Sequence, residues 1–395
     1  MAVRGNISTQ RRKGAETAEK VRLGEVVKII GGGTPSKKRD DYYKGNIPWA
    51  TVRDMNCDVI RTTEYRITNE AVEQSATNII PAGEVVISTH VGLGKVCVLG
   101  QDTAINQDLK AIIPTEEIAR KFLFYWFCSQ ANHIVRNGKG ATVKGVTLDF
   151  IRNLVFPMAP FTEQQRIAAE LDKICELKKN AETRLEKLDL LVKSRFVEMF
   201  GDLSASSFPR STIGELCEVK SGGTPDRKVR EYWENGDIPW IKTTELKNCE
   251  LYDSEEHITS LAINESSAKL VPPETILLAM YGQGRTRGMT AKLKIVATTN
   301  QACACILPSR KVEQDFLWHY LILSYEKIRA LAQGAGQLNL NGKMIRSFGV
   351  PIPHRTLQRE FAAFVKKVDK LKDVAKKSVE QMDTLYRAKL QEYFG

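Results

Sequence analysis

The 395-residue chain lacks most features of a membrane, secreted or cofactor-bound protein. No apolar run approaches the roughly 20 residues a membrane helix needs. The longest, residues 122–127 and 316–323, fall far short. No apolar stretch follows the basic residues near Met1, so no secretory signal is expected and the cytoplasm is the expected location. The eight cysteines include no C-x-x-C spacing, which favours reduced, buried thiols over disulfides or zinc. Cys303 and Cys305, two apart in an apolar run, read as strand packing. The five histidines, His90, His133, His257, His319 and His354, show no metal-ligand spacing. Gly94-Lys95, Gly138-Lys139 and Gly342-Lys343 are each followed by the wrong residues for a phosphate-cradling G-x-x-x-x-G-K-[ST] loop. No G-x-G-x-x-G opens a helix after a strand. Val271-Pro272-Pro273-Glu274 lacks the polar first residue and the aromatic of the Asn/Asp-Pro-Pro-aromatic run found in amino-methyltransferases. The expectation is a chain with no catalytic residues, no metal and no bound cofactor of its own.

What is present is ordinary in amount and unusual in arrangement. A 42% hydrophobic and 27% charged composition excludes wholesale disorder. At roughly 100–200 residues per domain, the length suggests about two or three domains. Lys+Arg 58 against Asp+Glu 47 leaves a net charge of +11, which favours an anionic partner.

The chain is a duplication. Gly32-Gly33-Thr34-Pro35 returns as Gly222-Gly223-Thr224-Pro225, and Ile47-Pro48-Trp49 as Ile238-Pro239-Trp240. Asn106-Gln107 returns as Asn300-Gln301, Ile151-Arg152 as Ile345-Arg346, and Phe196 to Gly201 as Leu390 to Gly395. Chance does not repeat five signals in one order.

Each copy has two parts. The first, residues 21–159 and 208–352, mixes short strands with turns and reads as α/β or α+β. Strands are expected over 84–88, 96–99 and 111–113. A helix over 116–135, capped by Thr115, closes the first copy, and one over 312–332 closes the second.

The second part of each copy, residues 160–201 and 353–395, reads as one long helix. Leu171, Ile174, Leu185, Leu188 and Val192 in one copy, and Val365, Val368, Val379, Met382 and Tyr386 in the other, form a seam at steps of three and four. Such a seam marks helices that wind around each other. Lys178 and Lys372 occupy equivalent seam positions, where a charge either helps fix the register of the pair or simply reaches out to solvent. A helix of about 39 residues is about 58 Å long. The segment from Gly201 to Pro209 spans at most about 30 Å and cannot return along it. Antiparallel packing with a pseudo-twofold axis, and globular parts at opposite ends, is therefore expected. Residues 1–20, including Arg11, Arg12 and Lys13, are expected to be a flexible basic arm, and 202–207 a linker.

Basic and aromatic residues cluster after each Gly-Gly-Thr-Pro turn. They are Lys37, Lys38, Arg39, Tyr42 and Tyr43 in the first copy, and Arg227, Lys228, Arg230, Tyr232 and Trp233 in the second. Cations beside aromatics suit phosphate contact with stacking. Trp49 and Trp240 read as core. The run from His90 to Lys95 and its counterpart from Met280 to Arg285 each carry two glycines, which suits either close approach to a phosphate or a plain hairpin. Residues identical in both copies, such as Thr34/Thr224, Trp49/Trp240 and Asn106/Asn300, read as scaffold. Differing ones read as places for distinct readout, notably Ala50-Thr51-Val52-Arg53 against Ile241-Lys242-Thr243-Thr244, and His90-Val91 against Met280-Tyr281; of these Thr51, Arg53, His90, Lys242, Thr243 and Tyr281 are candidate DNA contacts. Lys95, Lys144, Arg285, Arg287 and Lys343 complete the set. A metal-nuclease pattern, Pro225-Asp226 followed by Glu245-Leu246-Lys247, is absent from the first copy and stands only as a weak alternative.

Taken in order, these motifs resemble the specificity (S) subunit of Type I restriction-modification systems, over about residues 21–395. The residues that carry the likeness are the Gly-Gly-Thr-Pro turns, Gly-x-Ile-Pro-Trp at 45–49 and 236–240, the Asn-Gln pairs, Gly336 to Asn341, and Pro160-Phe161-Thr162-Glu163-Gln164-Gln165-Arg166-Ile167. Pro353 to Arg359 is a degraded form of the last, expected to cap its helix less well. Ala141-Thr142-Val143-Lys144 replaces the Gln-Leu-Asn-Leu run of the second copy. The resemblance implies two target recognition domains, each reading half of a split DNA site, with the helical pair setting the spacer. It implies a non-catalytic subunit that recruits two methyltransferase subunits using S-adenosylmethionine and motor-nuclease subunits using ATP and Mg.

Overall fold

The computed structural model describes residues 19–140, 144–201, 208–282, 284–332 and 339–395. Arg11, Arg12, Lys13 and nearly all of the expected arm, the linker 202–207, Gln283, and loop residues 141–143 and 333–338 lie outside the described residues. Packing divides the chain into two units: residues up to Ala181 with Lys377–Gly395, and Glu182–Lys376.

Both units repeat one topology. The first has a five-stranded sheet in the order Val27–Gly31, Leu109–Pro114, Val85–Ser88, Val96–Leu99, Val59–Ile60. The second has Val219–Ser221, Cys303–Ile306, Ile276–Ala279, Thr290–Leu293, Cys249–Leu251. In each, three antiparallel pairings are followed by one parallel pairing at the edge. A smaller sheet sits beside each, built on Ile47–Ala50 and Thr103–Ile105 in one and on Ile238–Ile241 and Thr298–Thr299 in the other.

The central strand shows why the sequence folds this way. In Val85–Ser88 every residue is buried. Val85 and Ile87 join a core with Phe122, Trp126 and Leu171, while Val86 faces a second core with Ala50 and Ile105. Alternate side chains of a strand point to opposite faces, so a strand covered on both faces reads as a continuous apolar run. Ile276–Ala279 divides its side chains between two cores in the same way. Cys303 and Cys305 lie buried in one of these strands, and all eight cysteines are free.

The closing helices differ from expectation. The first begins at Arg120, not 116, and runs Arg120–Arg136. Thr115 does not cap it. Instead the buried Gln164 accepts a hydrogen bond from the Ala119 N–H at 2.9 Å and donates to the carbonyls of Glu117 and Ala159. The second is broken into Gln314–Leu323 and Tyr325–Ala330 at the buried Ser324.

The long helices are Phe161–Phe200 and Arg355–Phe394, each of 40 residues. Within each unit they pair antiparallel. In the first, Glu170 accepts from Tyr393 at 2.6 Å and from Lys389 at 2.9 Å, and Lys178 reaches Asp383 at 2.7 Å. In the second, Lys372 reaches Asp189 at 2.7 Å, and Phe361 packs on Phe196 and Phe200. Leu171, Ile174, Leu188, Val192, Val365 and Val368 are buried in the seam, and Leu185, Val379, Met382 and Tyr386 are half-buried. The two seam lysines do not end in solvent; each is held by an aspartate of the other helix. The helix ends also enter the domain cores: the Phe394 ring meets Phe122 edge-on at 5.2 Å, a contact worth about 1 kcal/mol beyond its buried area.

The degraded helix-opening motif keeps the residue that matters. Gln358 is 1% exposed, accepts from the Glu313 N–H at 3.0 Å and donates to the Pro353 carbonyl at 2.8 Å. It performs for its helix the task Gln164 performs for the other. The expected weakening of the cap is not seen.

Candidate nucleic-acid interface

The repeated motifs converge on one knot in each unit. The Trp49 indole N–H donates to the Gly33 carbonyl at 3.2 Å, and that of Trp240 to the Gly223 carbonyl at 2.9 Å. The Gly33 N–H donates to the Ile105 carbonyl, and the Asn106 N–H to that of Ala50. Thr34 donates to Gln107, and Thr224 to Gln301. A Cβ on Gly33 would lie 2.4 Å from the Ala76 carbonyl carbon, and one on Gly223 2.4 Å from that of Ser267. Glycine is required there because backbone passes against backbone. Trp49 and Trp240 are buried as expected, and the identical residues hold loops in place.

Several predicted contacts turn out to brace these loops. Tyr42 is buried under the Arg39 guanidinium, 4.4 Å from its ring centre, so its face is not free for a base. Tyr43 is half-buried and donates to the Pro35 carbonyl at 2.8 Å. Arg39 is shared by Asp41 and Glu70. In the second unit Arg227 pairs with Glu256 and lies 3.7 Å over the Trp233 ring. The Trp233 N–H donates to the Asp226 carbonyl and the Tyr232 hydroxyl to Glu265. Lys242 is clamped by Glu256 at 2.8 Å and Glu255 at 3.0 Å, which raise its pKa. Thr51 caps a short turn, accepting from the Arg53 N–H, and Thr243 opens the matching turn half-buried.

Other predicted residues remain on the surface. Lys37, Lys38, Arg53, His90, Lys95 and Lys144 are exposed in the first unit, and Lys228, Arg230, Tyr281, Arg285 and Lys343 in the second. Arg53 lies 3.5 Å from Glu64. Arg287 is half-buried, its carbonyl held by Arg329. The fold brings two candidate segments together in the first unit, because Gly92 lies against Val52 and the Lys95 ammonium reaches the Val52 carbonyl at 3.5 Å.

The nuclease pattern does not form a site. Glu245 is buried, and its carboxylate accepts from the backbone N–H groups of Lys242 at 2.8 Å and Glu255 at 3.1 Å. Asp54 does the same in the first unit, holding the N–H groups of Thr51 and Glu64. Asp226 accepts from the Lys228 N–H, and Lys247 is exposed. Among the described residues no group of three or more His, Cys, Asp or Glu could hold a metal ion, and no helix is long and apolar enough to cross a membrane.

One fold used twice, with a shared scaffold and divergent edges, has a counterpart among known families. The family described as Type I restriction modification DNA specificity domain matches residues 15–189 and, again, 207–381. The chain belongs to this Type I DNA specificity family. As a Type I specificity subunit it recognises DNA and is not itself the catalyst. It is 25% identical over 329 residues to the Type I restriction enzyme MjaIX specificity subunit of Methanocaldococcus jannaschii, covering 77% of this chain and 75% of that one. It is 33% identical over 195 residues to the EcoR124I/EcoR124II specificity subunit of Escherichia coli, 48% of each chain. The crystal structure of a Type I S subunit from M. genitalium has the same fold, with a TM-score of 0.60 at 16% identity, covering 100% of this chain and 99% of that one. The stand-alone nuclease alternative has no support among these relatives.

Sequence reasoning missed Gln164 and Gln358 as the residues that tie each long helix to its domain. Their recurrence at the start of both long helices was the available signal.

Proposed function

We propose that this chain selects the DNA site of a Type I restriction-modification complex, each unit reading one half of a two-part sequence. The pair of 40-residue helices, each about 60 Å long, sets the spacing between the halves. The chain recruits two methyltransferase subunits, which bring S-adenosylmethionine, and motor-nuclease subunits, which bring ATP and Mg; it binds none of these cofactors itself. One observation carries the reading: two copies of one scaffold present different side chains at equivalent positions of their exposed loops. Identical readers would select identical half-sites. Arg53, His90, Lys95 and Lys144 in one unit, and Lys228, Arg230, Tyr281, Arg285 and Lys343 in the other, are the contacts proposed, with phosphate contacts positioning the chain and base-edge contacts selecting sequence.

Methylome sequencing of cells carrying the complete system tests this. Adenine methylation in two unlike half-sites around a fixed spacer is expected. A single continuous palindrome would sink the proposal.

A further inference from the structure

The first unit contains a recess of about 450 Å³ beyond the predicted loops, where the strand Val85–Ser88 ends. Thr89, His90, Lys110, Lys139, Gly145 and Thr147 are among the residues that wall it. Its backbone is tied down. Lys139 and Gly145 exchange both N–H···O=C bonds at 2.9 Å, and the Val146 N–H donates to the Thr89 carbonyl at 3.0 Å. Gly145 is what allows this closure, since a Cβ there would meet the His90 ring at 2.7 Å and the Thr89 carbonyl at 3.1 Å.

The side chains facing the recess are rich in donors and poor in negative charge. Lys110 is half-buried; its ammonium donates to the carbonyls of Leu109, at 3.2 Å, and of Gln107, which leaves one of three N–H groups to give. Burial pushes its pKa down, so the site is one where an ammonium lacks full hydration. Lys139 and His90 are exposed at the rim. No carboxylate is among the wall residues; Asp108, whose charge acts on Lys110, accepts from the Asn106 amide at 3.3 Å. A ligand suited to such a wall is an anion with several acceptor oxygens. His90 begins the loop that packs on Val52, so the recess adjoins the proposed DNA face.

Among the described residues, the second unit does not repeat these side chains. Strand register sets Lys110 opposite Ile87 and Ala304 opposite Leu278, so Ala304 stands where Lys110 does. The same register places Tyr281 at the position of His90, one residue on from the Met280 that the sequence alignment of the two loops sets there. The Leu340 N–H donates to the Met280 carbonyl as Val146 does to Thr89, so Asn339 replaces Gly145. We infer that the Lys110–Lys139–His90 recess of the first unit seats a DNA backbone phosphate, an anchor that does not depend on sequence and whose Lys110 and His90 give way to Ala304 and Tyr281 in the second unit. This rests on the DNA-reading function proposed above, and it makes the two readers unequal in how they grip DNA.

The salt dependence of binding by the full chain to a random-sequence duplex of about 40 base pairs tests it. Each phosphate contact contributes about 0.9 to the slope of log affinity against log salt. Lys110→Met with Lys139→Gln should lower the slope by about 0.9, the contribution of the one phosphate they share. The variant's loss of affinity between 50 and 200 mM salt should then be about three- to fourfold smaller than the wild type's. Each single variant should account for about half of this, which guards against one of them perturbing the fold. A steep wild-type slope left unchanged by all three variants overturns the phosphate seat while DNA binding stands. A wild-type chain whose binding is flat with salt overturns the DNA reading itself. A changed preference among sequences, with the slope intact, makes the recess a base contact and overturns the inference equally.

Discussion

The two units share a backbone, a Gly-Gly-Thr-Pro knot and a buried glutamine, yet they keep charge in opposite places. The first has cations around an open recess and an apolar residue, the half-buried Val98, in the fourth strand of its sheet. In the second, strand register puts Lys292 where Val98 stands, 2% exposed. Lys292 donates to Asp315, lies 3.3 Å from Glu250 and sits 5.0 Å over the Trp318 ring. Lys294 extends the network to Glu250 at 3.1 Å and Glu274 at 2.9 Å. A duplicated fold has therefore preserved the contacts that shape its loops while its interior electrostatics diverged as freely as its surface. Burial of a charge costs so much that it survives only inside a full set of partners, so such a network marks one copy and cannot be acquired one residue at a time.

Three perturbations break or sharpen that contrast. The largest is Lys292→Met, which leaves the carboxylates of Asp315 and Glu250 without their buried cation. We expect a loss of about 3–5 kcal/mol, read by denaturant unfolding. Hydrogen exchange should show it in Ile276–Ala279 and leave Val85–Ser88 protected. Equal loss in both strands would mean the units do not respond separately.

Next are Gln164→Leu and Gln358→Leu, which should act alike because the two glutamines do the same work. Each strands a buried N–H and at least one carbonyl, at about 2–4 kcal/mol. Gln164, with three bonds against two, should cost more. Urea unfolding of both variants gives the comparison, and a neutral Gln358→Leu would show that the second helix start is indeed weakly held.

The smallest is a pH effect confined to the second unit. Burial pushes the His319 pKa down to about 4, with Asp315 and Asp189 opposing and Lys292 and Lys372 reinforcing the shift. An unfolded imidazole titrates near 6.5. Between these values the unfolded chain binds the proton first, so His319's contribution is complete above about pH 6.5 and declines as pH falls toward 4. By pH 5 the loss should be about 2 kcal/mol, and His319→Phe should remove that part of the slope. An unchanged slope in the variant would show that the imidazole is not the group responsible.

Much of this architecture is written in local pattern. The duplication, the strands and the helical seam follow from periodicity and repetition, which need no partner to be read. The helix starting at Arg120 and the roles of Arg39, Arg227 and Lys242 do not. Their determinants are Gln164, Glu70 and Glu256, more than a dozen residues away in every case, and a cation beside an aromatic looks the same whether it meets a phosphate or a glutamate. Lys292 was hidden for a similar reason: a lysine in a strand reads as solvent-facing until its three acids, from three separate segments, are placed around it.

The packing of Tyr393 and Phe394 into the first unit has a consequence for synthesis on the ribosome. Residues 19–181 emerge first but lack the helix segment Lys377–Gly395 that closes their core. The second unit, a continuous stretch of chain, has all its parts earlier. Order of emergence and order of completion are thus reversed. The half made first must wait, partly uncovered, for Lys377–Gly395 to be threaded against it.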